Sequence, residues 1–130
     1  MHSINITSAY AALLGIMFLI ITMRIVFSRH KNKVSLGDGN NRDLGKLIRG
    51  HGNFAETVPL ALVLMLMLEL QGSSAILLHS LGIALIAGRV LHYLRVTSLV
   101  KIMNFRVAGM GLTLMVITVA SIRLLIGSIF

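Results

Sequence analysis

The chain has 130 residues, of which 56% are hydrophobic and only 12% are charged. A soluble domain carries about twice that charged fraction, so the composition indicates an integral membrane protein. Twelve Lys and Arg against four Asp and Glu give a net charge of +8. A nucleic-acid-binding protein would not devote half its length to uncharged apolar runs, and basic loops facing an anionic leaflet explain the charge better. Cysteine is absent, which excludes disulfides, thiolate metal sites and a cysteine nucleophile.

Four apolar stretches follow one another, at about residues 8–27, 44–70, 74–95 and 107–128. Each approaches or exceeds the ~20 residues that a helix needs to cross ~30 Å of hydrocarbon. Asp43 is the predicted N-cap of the second helix. The segment before the first stretch lacks Lys and Arg, which is untypical of a cleaved signal peptide. We therefore predict one all-α domain over residues 1–130, an integral membrane four-helix bundle.

Lys and Arg are unevenly distributed between the connections. The stretch from Arg24 to Arg49 holds seven of the twelve, and the third connection adds Arg95, Lys101 and Arg106. The connection QGSS and the N-terminal segment hold none. By the positive-inside rule, both basic loops are predicted to lie in the cytoplasm and both termini outside.

The second span opens with the unusually polar stretch RGHGNFAETVP, which begins at Arg49. On a helix, Arg49, Asn53 and Glu56 fall at i, i+4 and i+7 and share one stripe, whereas His51 points elsewhere. Arginine binds carboxylates, asparagine both donates and accepts, and glutamate can receive an ammonium group or clamp an arginine. Pro59 is predicted to kink this helix. The alternative interpretation is that Arg49 and Glu56 form a structural pair.

The third span contains Arg89 and His92 at i, i+3, with Tyr93 beside them, and Arg106 opens the fourth span. The predicted topology brings these residues, with Arg24 and the Arg49 stripe, to one membrane face. Such polar residues in apolar helices usually face a bundle interior or a water-filled cavity. The alternatives are that Arg24 and Arg106 are snorkelling anchors and that His92 is a structural histidine.

The remaining polar residues have simpler interpretations. Glu69 and Arg123 lie near the outer side and are interpreted as anchors or subunit contacts. No histidine pair has helical ligand spacing with a carboxylate beside it, so no metal site is predicted. The segment GDGN at residues 37–40 is interpreted as a turn, because it lacks the GxxxxGK[ST] frame of a phosphate-binding loop.

The pattern Arg49-x-His51-x-Asn53-Phe54-x-Glu56-x-x-Pro59 resembles the signature of the membrane-associated proteins in eicosanoid and glutathione metabolism, the MAPEG family. LGDG at 36–39 and GRVLHY at 88–93 also match. The resemblance covers nearly the whole chain and is closest to small bacterial members similar to microsomal glutathione transferases. It implies a homotrimer in a bacterial inner membrane, with glutathione bound between neighbouring subunits at the cytoplasmic side.

The resemblance also implies roles for individual residues. Arg106 corresponds to the arginine that stabilises the glutathione thiolate. The residues matched to glutathione binding or lying beside a matched residue are Arg24, Arg49, Asn53, Glu56, Arg89, His92 and Tyr93. The implied function is a glutathione-dependent transferase or peroxidase, whose apolar electrophile arrives from the surrounding membrane lipid.

Two other functions remain as alternatives. The first is a non-catalytic lipid-binding membrane protein of the same fold. The second is a small proton-coupled exporter, which would need an intramembrane glutamate that cycles its proton. The arginines expected near Glu56 favour its ionised form, which argues against the exporter. The choice between conjugation, peroxide reduction and isomerisation stays open.

Overall fold

The structure is a computed structural model that describes residues 5–97, 99, 102 and 104–129. It contains four helices, α1 (Ile6–Asn32), α2 (Arg42–Leu70), α3 (Ala75–Val96) and α4 (Asn104–Ile129), and the described residues form no strand. Each helix is long and apolar enough to cross a membrane. The predicted all-α fold with four membrane-spanning helices is confirmed. Lys101, counted in the second predicted basic loop, lies outside the described residues.

Helices α2 and α3 form the centre of the bundle. Each packs against the other three helices, whereas α1 and α4 do not pack against each other within the described ranges. The connection at residues 33–41 lies at the same end of the bundle as Arg95 and Arg106, and we call this the basic end. The connection at residues 71–74 marks the opposite end. Helix α2 continues through Pro59 without interruption.

The bundle has a buried core and an apolar exterior. Core side chains such as Leu14, Met65, Leu85 and Val116 are at most 1% exposed. Large apolar side chains also cover the outside; Phe27, for example, is 66% exposed. An exterior of this kind is costly in water but suits helices whose outward faces contact lipid.

The start of α2 differs from the prediction. The N-cap is Asn41, whose side chain accepts hydrogen bonds from the backbone N–H groups of Asp43 and Leu44, both at 3.0 Å. Asp43 lies in the first turn and pairs with Lys46 at 3.0 Å. The prediction of Asp43 as N-cap was wrong because the preceding loop places Asn41 in the extended conformation that an N-cap requires, with its oxygen directed at the first turn.

Glu69 ties the end of α2 to the start of α1. Its carboxylate accepts hydrogen bonds from the backbone N–H groups of Asn5 at 3.0 Å, Ile6 at 2.8 Å and Thr7 at 2.7 Å. These donors have no partner within their own helix, and a negative charge is favourable at a helix N-terminus. Glu69 is only 8% exposed. Its interpretation as a membrane anchor or subunit contact was therefore wrong, because its carboxylate is used within the chain.

We expect Glu69→Gln to lower the free energy of unfolding by about 1–2 kcal/mol, since the amide loses the charge and one of the two acceptor oxygens. Asp43→Asn is the matched control, because the exposed pair with Lys46 contributes little. Unfolding in detergent micelles measures both variants. Equal losses in the two variants would contradict the capping role of Glu69.

Helices α3 and α4 form the most extensive helix pair, and their backbones come into close contact at two glycines, Gly88 and Gly109. A Cβ atom on Gly109 would lie 2.5 Å from the carbonyl oxygen of Gly88 and 2.5 Å from the backbone nitrogen of His92. Small residues allow such close backbone approach between membrane helices. This crossing holds the start of α4, which carries Arg106, against the part of α3 that carries His92.

Candidate functional site

Two clefts flank α2 at the basic end. The first cleft, with a volume of about 1000 Å³, lies between α2, the end of α3 and the start of α4. Its apolar wall includes Val107, Met110 and Leu114. Its charged and polar lining residues are Asp38, Arg42, Lys46, Arg49, Asn53, His92, Arg95 and Arg106. Five of these eight are arginine or lysine, so the first cleft is suited to anionic groups.

The second cleft, of about 800 Å³, lies between the end of α1, the loop at residues 33–41 and α2. Its charged and polar lining residues are Arg29, Asp38, Arg49, Asn53 and Glu56. Asp38, Arg49 and Asn53 line both clefts. The structure thus places the whole predicted stripe of α2 on the clefts, where Arg49 and Asn53 form the wall between them.

His51 lies off that stripe, as its helical position predicts. Its Nε2 atom is 3.1 Å from the hydroxyl of Thr22, and its ring lies 4.7 Å from that of Phe18, centroid to centroid. Both partners belong to α1. His51 therefore joins α1 to α2 and lines neither cleft.

Arg89 occupies the interior of the bundle and lines neither cleft. It is 1% exposed, and its Nη1 atom donates to Asn53 Oδ1 at 2.7 Å and to the hydroxyl of Thr57 at 3.1 Å. Its Nη2 atom lies 3.8 Å from the sulfur of Met110. Within this chain, Arg89 therefore holds the Asn53 amide in place from the bundle interior. The resemblance instead implies that Arg89 contacts the ligand directly.

His92 and Tyr93, both predicted site residues of the third helix, lie in different environments. His92, 8% exposed, lines the first cleft. The hydroxyl of Tyr93 instead accepts a hydrogen bond from Arg24 Nη1 at 3.2 Å, and the guanidinium carbon of Arg24 lies 5.5 Å from the ring centroid. Arg24 and Tyr93 form a pair between α1 and α3, and neither lines a cleft.

Five charged cleft residues were missed by the sequence reasoning: Arg42, Lys46 and Arg95 on the first cleft, Arg29 on the second and Asp38 on both. Arg29 lines the second cleft, and its Nη1 atom is buried with no hydrogen-bond partner in the described part of the chain. Helical spacing could have identified Arg29. It follows Thr22 by seven residues and therefore lies on the face of α1 that contacts α2. Asp38 was interpreted only as part of a turn, and no local pattern placed its side chain between two clefts.

The sequence profile of the MAPEG family matches residues 7–126. This chain belongs to the MAPEG family. Inner membrane protein YecN of Escherichia coli (strain K12) is 38% identical over 88 residues, which cover 68% of this chain and 67% of that protein. Inner membrane protein YecN of Escherichia coli O6:H1 matches with the same identity and coverage. No solved structure is significantly similar to the chain.

In this MAPEG chain, the first cleft combines cations with an apolar wall. Arg106 is exposed in the first turns of α4 and lines the cleft, with Val107 and Met110 next along the same wall. Arg123, near the other end of α4, is far from both clefts. A fixed guanidinium beside apolar surface can stabilise an anion in contact with an apolar reactant.

Proposed function

We propose that this chain is a glutathione-dependent membrane transferase or peroxidase that presents the glutathione thiolate to apolar electrophiles. The observation that carries the proposal is the first cleft, in which Arg49 and Arg106 share one cavity with the apolar side chains of Met110 and Leu114. A water-soluble thiol peptide and a lipid-soluble reactant could meet in such a cavity. Membership of the MAPEG family supports the same conclusion.

The clefts complement the functional groups of glutathione, which has two carboxylates, one ammonium group and a thiol. Arg49 and Arg29 provide guanidinium groups for the carboxylates, and the amide of Asn53 can both donate and accept. A free thiol titrates near ~8.5, and a nearby cation lowers its pKa and so increases the thiolate fraction at neutral pH. In this proposal Arg106 is that cation.

We further propose that the protein lies in the bacterial inner membrane with its basic end in the cytoplasm and its termini outside. The name of the relative YecN as an inner membrane protein supports the membrane assignment. The concentration of cations at one end of four apolar helices supports the orientation. The two clefts on either side of α2 are compatible with a homotrimer that binds glutathione between subunits, as the family resemblance implies.

The first test of this function is glutathione binding to the purified protein, followed by a titration of thiolate absorbance in the ultraviolet. We expect saturable binding and a bound thiol that ionises below the pH at which free glutathione does. Lipid binding without glutathione binding would favour the non-catalytic alternative. Proton-coupled transport in vesicles without glutathione binding would favour the exporter.

We expect Arg106→Ala to lower kcat/KM for conjugation of a model aryl halide by about 100-fold, the effect of removing one group that stabilises a reacting anion. The thiolate signal at neutral pH should fall with it. Arg123→Ala is the matched control, an exposed arginine on the same helix at the opposite end. Unchanged turnover in Arg106→Ala, or an equal loss in Arg123→Ala, would contradict the role of Arg106.

A further inference from the structure

A third cavity lies between α1 and α2, farther from the basic end than either cleft. Its volume is about 280 Å³. Helix α1 contributes lining residues from Ala11 to Phe18, and α2 contributes lining residues from Phe54 to Leu62. Every lining side chain is apolar, and none of these residues lines either cleft. We call this cavity the α1/α2 groove.

The α1/α2 groove is narrow and runs along the helices. Ala11 and Phe18 are seven residues apart, which is about 10 Å along a helix axis. The volume divided by this length gives a mean cross-section of about 27 Å², or a width of about 6 Å. Part of this space is open at Gly15, where an added Cβ would meet nothing within 4 Å. A single hydrocarbon chain fits such a width, because its carbon atoms contact other carbon atoms at about 3.5–4.0 Å.

Two aromatic rings form the end of the groove that is nearest the basic end. Phe18 and Phe54 lie 5.8 Å apart, centroid to centroid, and the ring of Phe18 also packs against that of His51 at 4.7 Å. His51 and its partner Thr22 lie beyond these rings, on the side of the second cleft. The groove is therefore not an extension of the second cleft, and its occupant enters from the surrounding membrane.

The groove is continuous with the surface that contacts lipid. Ile16, Leu60 and Val63 are exposed next to lining residues, on helices that are apolar enough to cross a membrane. The groove extends from about 8 to about 18 Å along α1, counted from Ile6, and so lies within the ~30 Å thickness of the hydrocarbon. It thus lies at the depth of the acyl chains and runs in about the same direction as they do.

Other occupants fit this groove less well. A polar ligand would lose its hydrogen bonds to water and gain none from the apolar lining side chains. A helix of a second copy of the chain is about 10–12 Å across with its side chains, so it would cover the groove without filling it. An acyl chain fills the groove and restores the van der Waals contacts that a void would remove from the lining atoms.

We propose that the α1/α2 groove binds one acyl chain of a membrane phospholipid, drawn from the leaflet opposite the basic end. The bound chain packs against both helices and supports their contact from the membrane side. This inference goes beyond the proposed function, because it concerns the lipid-facing side of the bundle and holds whether or not the clefts bind glutathione.

The test is photolabelling of the full-length protein in vesicles of phosphatidylethanolamine and phosphatidylglycerol. The vesicles also contain a phosphatidylcholine with a diazirine in the middle of one acyl chain, and peptide mass spectrometry locates the label. We expect the label to concentrate on Gly15, Ala55 and Pro59 rather than on the exposed neighbours Ile16 and Leu60. Gly15→Leu should lower labelling of Ala55 and Pro59 by about 10-fold, because its side chain occupies the space that the acyl chain needs.

Matched variants separate filling of the groove from a general effect of the substitution. Ala12→Leu adds a leucine at an exposed position of α1 outside the groove, and it should leave the labelling unchanged. Gly15→Ala adds only a methyl group and should retain most of the labelling. Ala55→Leu fills the groove from α2 and should repeat the loss at Pro59 if Gly15→Leu does not fold. Circular dichroism and size-exclusion chromatography check the fold and assembly of each variant.

Three results would overturn the inference. Label spread evenly over the groove and the exposed apolar faces would show unspecific contact with bulk lipid only. Labelling of the groove by a fatty acid with the same diazirine, but not by the phospholipid, would assign the groove to a different ligand. Label on the exposed faces and none in the groove would show that a second copy covers it. All three results leave glutathione binding, and with it the proposed function, to its own test.

Discussion

Replacing Gly109 by alanine should lower the free energy of unfolding by about 3 kcal/mol, the upper part of the range for overpacking a tight interior. The new methyl group would lie 2.5 Å from both Gly88 O and His92 N. Because these are backbone atoms, no side-chain rotation can relieve the contact, and α3 and α4 must separate. Unfolding of the variant by denaturing detergent in mixed micelles measures the loss.

The same substitution should also weaken glutathione binding in the first cleft. Separation of α3 from α4 moves His92 away from Arg106, and both residues line this cleft. We therefore expect reduced glutathione affinity in Gly109→Ala even at temperatures where the variant remains folded. A stable variant with unchanged affinity would show that the two helices can accommodate the methyl group elsewhere.

Gly111→Ala provides the matched control, on the same helix two residues later. An added Cβ at Gly111 meets nothing within 4 Å, so no helix needs to move. Alanine also restricts the unfolded chain more than glycine, and we expect a change in stability between zero and about 1 kcal/mol in the favourable direction. A loss in Gly111→Ala equal to that in Gly109→Ala would indicate a general cost of alanine in α4 rather than a clash at the crossing.

The four-helix fold followed from the sequence because apolar length is a direct signal of membrane helices. The residues at which the helices start were harder to predict. Asn41 and Asp43 are both common N-cap residues, and only the path of the loop decides between them. Glu69 is far from Asn5 and Ile6 in sequence, so no local pattern showed that its carboxylate caps another helix.

Helical spacing identified the face of α2 that lines the clefts, since Arg49, Asn53 and Glu56 repeat at i, i+4 and i+7. Spacing along one helix does not show how deeply a side chain of another helix lies. Arg89 and His92 were grouped as neighbours on α3, yet one is enclosed by α2 and α4 and the other lines a cleft. Depth depends on how neighbouring helices pack, which a single sequence does not report.

The buried position of Arg89 leads to a second large effect. Asn53→Ala should lower the free energy of unfolding by about 2–3 kcal/mol, because it removes the shortest hydrogen bond of a buried guanidinium, at 2.7 Å. The described residues offer Arg89 no carboxylate, and its Nε atom has no partner among them. Thr57→Val is the comparison, since it removes the longer bond of 3.1 Å and should cost about 1 kcal/mol.

A double-mutant cycle measures the coupling free energy between Arg89 and Asn53 apart from their interactions with other residues. Arg89→Met alone leaves the amide of Asn53 without its partner, and Asn53→Leu alone leaves the charge of Arg89 without its main acceptor. The double variant removes both groups and fills the space with apolar atoms, which is close to neutral where buried polar partners are replaced together. We expect the double variant to be more stable than Asn53→Leu alone by at least about 1.5 kcal/mol. Additive losses would contradict a coupled pair.

The same cycle applied to glutathione affinity tests whether Arg89 acts through Asn53. Asn53 lines both clefts and Arg89 lines neither, so Arg89 should influence the ligand mainly by holding the Asn53 amide in place. Arg89→Met should then weaken binding in the wild-type background and have little further effect once Asn53 is leucine. An equal loss in both backgrounds would instead show that Arg89 contacts the ligand directly, as the family resemblance implies.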